Sequence, residues 1–107
     1  MAPSPTRGSR TVDMTEDGSR DVTLDAFEVV LSPTDARIAI IEWRRDTGVI
    51  EHLWVDEAHR RQGLATMLYQ HAQRQTDGFL KLSEWRTFDG QAWASTLGEP
   101  LPTWRLA

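Results

Sequence analysis

Hydrophobic residues are sparse over the first 20 positions and then gather in three consecutive short stretches bounded by turn-forming or polar residues. Phe27-Glu28-Val29-Val30-Leu31 is rich in β-branched and aromatic residues and stops at Ser32-Pro33, which predicts a strand. Arg37-Ile38-Ala39-Ile40-Ile41-Glu42-Trp43 predicts a second, and Val49-Ile50-Glu51-His52-Leu53-Trp54-Val55 a third, with turn chemistry between them at Arg45-Asp46-Thr47-Gly48. Such short connections imply an antiparallel meander. After Val55 the period lengthens to about 3.6: Leu64, Met67, Leu68 and Ala72 share one face of a helix that should end at Asp77-Gly78. Phe79-Leu80-Lys81-Leu82 is a short strand candidate. Thr87 or Asp89 would cap a last helix running through Gln91, Ala92, Trp93 and Leu97, closed by Gly98 and Pro100. The expected order is β-β-β-α-β-α, a mixed and mostly antiparallel α/β fold whose fourth strand, reached through a helical crossover, lies parallel to the third.

Composition narrows this picture. Residues 1–20 carry Pro, Ser, Thr, Gly and charges with almost no large apolar side chain, so they are expected to form a disordered tail ahead of a minimal domain at 21–107. The 107 residues allow one small domain, and five Trp (43, 54, 85, 93, 104) offer apolar area for its core. Twelve basic against 16 acidic residues give a formal charge of −4, which offers no general attraction to nucleic acid or an anionic membrane. There is no Cys, hence no disulfide or thiolate chemistry, and no apolar run approaches the roughly 20 residues of a membrane span. A cytoplasmic protein without a metal is the expectation.

The most informative segment is Val55-Asp56-Glu57-Ala58-His59-Arg60-Arg61-Gln62-Gly63-Leu64-Ala65, between a strand and an amphipathic helix. A helix N-terminus presents unpaired N–H groups and partial positive charge, so a strand-to-helix loop that lets an anion approach suits a phosphate. Gly63 removes a Cβ at that point, Ala65 keeps the first turn small, and Arg60 and Arg61 add charge. An ordinary βα connection, with Gly63 as a turn residue and solvated arginines, is the plainer alternative. Neither the Walker pattern nor the dinucleotide fingerprint is present.

The segment resembles the acetyl-CoA-binding motif of the GCN5-related N-acetyltransferase (GNAT) family, Gln/Arg-x-x-Gly-x-Gly/Ala, filled here by Arg60, Gly63 and Ala65. The resemblance covers roughly residues 27–98 and accounts for the element order. It implies a reduced GNAT fold in which a splayed strand pair forms the CoA cleft. It places diphosphate contacts on Arg60, Arg61, Gln62, Gly63, Leu64, Ala65 and Thr66, and pantetheine contacts on the main chain of Leu53, Trp54 and Val55. The stretch from Ser83 to Ala94, with Arg86-Thr87, Gly90 and Trp93-Ala94, looks like the end of short actinobacterial and phage-type members. Ser83, Arg86 and Thr87 would then lie near the cleft, the alternative for Thr87 and Trp93 being a helix cap and core packing.

Amine acetylation needs a base for the ammonium proton and an acid for the leaving thiolate. Alternation places 49, 51, 53 and 55 on one strand face, so Glu51 is the base candidate, the alternative being a cross-strand ion-pair partner; His52 points the other way. His59 and His71 read as loop and helix-surface residues. Where many family members carry a Tyr in the last helix, this chain has Ala94, and its one tyrosine, Tyr69, reads as packing. Compared with the family, elements on the acceptor side look reduced, which suits an open site for a protein or peptide amine or completion by a second subunit. Two readings follow: an N-acetyltransferase using acetyl-CoA, or a catalytically inactive GNAT-fold binding protein. Exposed sheet edges and the Trp content also suggest a homodimer.

Overall fold

The computed structural model describes residues 5–13, 21–31, 34, 36–60 and 62–106. Four strands form an antiparallel sheet in chain order: β1 (Thr6–Asp13), β2 (Asp21–Leu31), β3 (Ala36–Arg44) and β4 (Ile50–Val55). A 3-10 turn (Glu57–His59) leads into helix α1 (Leu64–Gln75). Then come β5 (Trp85–Arg86), helix α2 (Phe88–Ser95) and β6 (Arg105–Leu106), β6 pairing parallel to β5 in a small second sheet.

The α1 side of the sheet carries the core. Phe27, Ile41 and Leu53 are neighbours across β2, β3 and β4, and Trp43 is paired with Ile50. Leu68, Tyr69 and Ala72 of α1 pack on them, joined by Leu80. The meander, both helices and the mixed α/β class match the reading from periodicity. Helix α1 ends at Gln75, with Asp77 (φ 54°) and Gly78 (φ 78°) turning the chain. Thr87, rather than Asp89, caps α2, its hydroxyl accepting from the Gly90 N–H at 3.0 Å.

Four expectations need correction. First, Thr6–Asp13, read as disordered tail, is an edge strand paired with β2 along its whole length. Its polar sequence hides this, because its stabilising partners are remote: Arg10 donates to Glu42 at 2.7 and 2.9 Å across β2, and Arg7 lies 5.7 Å from the Phe27 ring centre. Residues 1–4 and 14–20, and the Ser32-Pro33 stop, lie outside the described residues. Second, Phe79–Leu82 does not form a strand of its own; only Lys81 makes a bridge, parallel to Val49. Third, of the five Trp only Trp43 is fully buried, at 1% exposure, while Trp54, Trp85 and Trp104 are exposed. Fourth, His71 is half-buried, its ring edge-on to Phe27 at 4.6 Å.

Candidate active site

β4 is the last strand of its sheet, so between its first residue and the Val55 carbonyl the outer edge of its main chain has no strand neighbour among the described residues. At that first residue the chain following α1 meets it. The Ile50 N–H donates to the Lys81 carbonyl at 2.9 Å and the Lys81 N–H to the Gly48 carbonyl at 2.8 Å. From there the two segments part, and no ladder continues between Leu53-Trp54-Val55 and Ser83-Glu84-Trp85. Gln73 of α1 holds the diverging segment: its side-chain amide accepts from the Leu80 N–H (3.2 Å) and donates to the Leu80 carbonyl (3.1 Å). Leu80 thus has its hydrogen bonds met by a side chain, which is why its stretch needs no strand neighbour.

A cleft of about 620 Å³ opens where they begin to part, at the start of β4, lined by Arg44, Val49, Glu51, Leu82, Ser83, Glu84, Trp85 and Pro102. Of the residues predicted for the site it takes in Glu51 and Ser83, but not Leu53, Trp54, Val55 or the described residues of the loop after β4. Glu51 is there because β4 carries a bulge. Trp43 pairs with Ile50 and Glu42 with His52, leaving Glu51 as the extra residue. The strict alternation assumed for 49, 51, 53 and 55 therefore fails at this point: Ile50, Leu53 and Val55 share the core side, and Glu51 is turned to the cleft rim. His52 is exposed in a shallower depression on the opposite face, about 430 Å³, beside Trp54 and the paired charges of Arg10 and Glu42. That bidentate pair satisfies the buried Glu42 carboxylate and holds it below the usual carboxylate range, chiefly through the Arg10 hydrogen bonds.

The loop after β4 is built by short-range polar contacts. Asp56 caps the 3-10 turn by accepting from the Ala58 N–H at 3.2 Å, and it meets His59 Nδ1 at 2.9 Å. The His59 contact leads in holding the Asp56 carboxyl low. Arg60 folds back, its Nε donating to the Val55 carbonyl at 3.1 Å. Arg61 lies outside the described residues. Gly63 is the N-cap of α1 with φ 76° and no side-chain cap, and the first intrahelical bond is Met67 N–H to Gly63 O at 2.9 Å. The N–H groups that precede it, through Thr66, have no intrahelical acceptor. A Cβ built on Gly63 meets nothing within 4 Å, so the N-cap of α1 borders open space. Free N–H groups, helix-start polarity, Arg60 and this open space fit a diphosphate, and the open β4 edge beside them fits the amides of a pantetheine arm. Leu53 and Val55 are half-buried against the core and Trp54 is exposed; Gln62, Leu64, Ala65 and Thr66 follow in the turn and first helical turn.

The sequence left Arg44, Glu84, Trp85 and Pro102 unassigned. The C-terminal stretch brings Pro102 to the cleft because Arg105 pairs with Trp85, its N–H donating to the Glu84 carbonyl at 2.7 Å. Buried Arg86 secures the same return, donating from Nε to Gln91 Oε1 (2.8 Å), from Nη1 to the Ser83 carbonyl, and from Nη2 to the Pro102 carbonyl (2.9 Å). Trp104 donates to the Arg86 carbonyl at 2.9 Å. Tyr69 is engaged away from the cleft lining: its hydroxyl donates to Glu99 at 2.6 Å and accepts from Gln73 at 3.0 Å. Burial, then the Glu99 carboxylate, raise its pKa.

Comparison with known proteins finds the acetyltransferase (GNAT) family model matching residues 31–93. No curated protein and no solved structure gives a significant match. The matched span covers more than half of the chain and runs from β2 through the cleft-forming loop into α2, and on that ground the protein belongs to the GNAT acetyltransferase family.

Proposed function

We propose that this chain is an acyl-CoA-dependent N-acetyltransferase that transfers acetyl from acetyl-CoA to an amine of a protein or peptide, acting in the cytoplasm as a homodimer. The observation that carries the reading is the gap beside β4, opening directly after the Val49–Lys81 bridge with the bulged Glu51 on its rim. Leu53, Trp54 and Val55 offer main-chain groups to the pantetheine arm. Arg60, Arg61, Gln62, Gly63, Leu64, Ala65 and Thr66 receive the diphosphate.

When bound, acetyl-CoA supplies a thioester carbonyl open to attack by an amine. Glu51 accepts the proton that the incoming ammonium must lose, from a carboxylate already on the cleft surface. Of the other charges on the lining, Glu84 is paired with Arg105 at 3.3 Å and Arg44 with Asp46 at 3.4 Å, which leaves the Glu51 carboxylate without an ion-pair partner among the described residues. Positioning of amine against thioester supplies the larger share of rate. With the tyrosine hydroxyl committed to Glu99, the thiolate takes its proton from solvent in the open cleft.

The test is acetylation of lysine peptides and of proteins in a lysate with labelled acetyl-CoA. Label transfer that drops at least a hundredfold in Glu51→Gln supports the assignment. Acetyl-CoA binding without transfer to any amine would instead identify a GNAT-fold binding protein without catalysis.

A further inference from the structure

Thr66 is the third residue of α1, inside the first turn whose N–H groups lack intrahelical acceptors. The Trp93 indole N–H, from α2, donates to its hydroxyl at 3.1 Å. An indole nitrogen can only donate, so the Thr66 oxygen is the acceptor and its own proton is left for a second partner. Helical hydroxyls commonly spend that proton on the carbonyl four residues back, as Thr76 does on Ala72 (2.7 Å) and Ser95 on Gln91 (2.9 Å). Among the described residues Thr66 makes no such bond.

The donor is itself held in place. Tyr69, one turn along α1, meets the Trp93 ring edge-on at 5.5 Å and 82°, and Tyr69 is fixed in turn by Glu99 and Gln73. Ala94, beside Trp93, is fully buried and leaves α2 little freedom to shift. The polar end of the indole is thereby spent on Thr66.

We infer that Trp93 is a positioning residue for the diphosphate site: it holds Thr66 Oγ1 as an acceptor, so that the hydroxyl proton is presented to an anion at the start of α1. The inference rests on the acetyl-CoA reading above. It gives a side chain that sequence alone reads as core packing a part in cofactor affinity.

The experiment is a double-mutant cycle on acetyl-CoA affinity, measured by calorimetry with Trp93→Phe, Thr66→Val and both together, each checked for folding by circular dichroism. Trp93→Phe is expected to raise Kd about three- to tenfold, the scale of one neutral hydrogen bond. Thr66→Val should do at least as much, the double variant should bind no worse than Thr66→Val, and Thr66→Ser should restore affinity. A structural role alone would lower the melting temperature and leave Kd in place. Unchanged Kd in Trp93→Phe, or fully additive losses in the double variant, overturns the inference while the acetyl-CoA reading stands. No binding by the unmodified protein overturns both.

Discussion

Gly48 (φ 77°), Gly63 (φ 76°), Gly78 (φ 78°) and Gly98 (φ 70°) all have a left-handed φ, so replacing any of them by alanine imposes a similar strain while the surroundings differ. At Gly78 a Cβ meets nothing within 4 Å; at Gly48 it collides with the Phe79 carbonyl oxygen and comes within 3.1 Å of the Phe79 ring. The strain costs about 1 kcal/mol. Relieving the collision must push Phe79 outward, and with it the bridge in which Lys81 donates to Gly48 and Ile50 donates to Lys81, worth about 1 kcal/mol for each of these two bonds. Gly48→Ala should therefore lose about 3 kcal/mol, against about 1 for Gly78→Ala. The difference of about 2 kcal/mol corresponds to a melting temperature roughly 8–16 °C lower for a domain of this size. Urea and thermal denaturation of the two variants side by side provide the measurement. Equal stabilities would refute the view that the base of the cleft is set by backbone contact between Gly48 and Phe79.

Other outcomes follow from the same contacts. Arg10→Met should cost more stability in urea denaturation than Glu42→Gln, by roughly 1–2 kcal/mol, because it strands the buried member of the pair while the reverse change frees an exposed guanidinium. The lowered folded-state pKa of Glu42 means that its contribution is complete above the unfolded carboxylate range and fades as pH falls through the folded value. Melting temperatures between pH 6 and pH 3 should accordingly drop more steeply in the unmodified protein than in Arg10→Met. Tyr69→Phe should lower stability by about 1 kcal/mol yet keep the transfer rate within about twofold, since the hydroxyl is bonded to Glu99 and Gln73; a hundredfold loss of kcat would make Tyr69 the thiolate acid. Glu51→Gln should keep acetyl-CoA affinity within about twofold by calorimetry while transfer collapses, as expected of a base that does not hold the cofactor.

Periodicity carried most of the architecture, because β2, β3 and α1 bury core residues whose spacing is written locally, and β4 departs from that spacing only at its bulge. What escaped it depends on distant partners. Nothing in Thr6–Asp13 announces a strand; its partners are the edge of β2, a carboxylate on β3 and the Phe27 ring. Phe79–Leu82 has a strand's alternation, yet a glutamine side chain satisfies Leu80 in place of a neighbouring strand. The loop from Arg60 to Thr66 was legible because glycine, small residues and arginine at that spacing have a direct physical meaning at a helix start. Glu51 was named by an alternation that the bulge breaks, and the same bulge turns it to the cleft rim. Glu84, Trp85 and Pro102 were illegible because the parallel pairing of β5 with β6, which brings them together, joins segments about twenty residues apart through a buried arginine.

Calorimetric titration of acetyl-CoA into the unmodified protein, Gly63→Trp and Gly78→Trp tests the central claim most directly. Both substitutions carry a positive φ and both side chains enter open space, but only the first stands at the N-cap of α1, next to its unpaired donors. Binding is expected at one site per chain, retained in Gly78→Trp and abolished in Gly63→Trp with the fold intact. No heat from the unmodified protein, or equal affinity in the two variants, would contradict it.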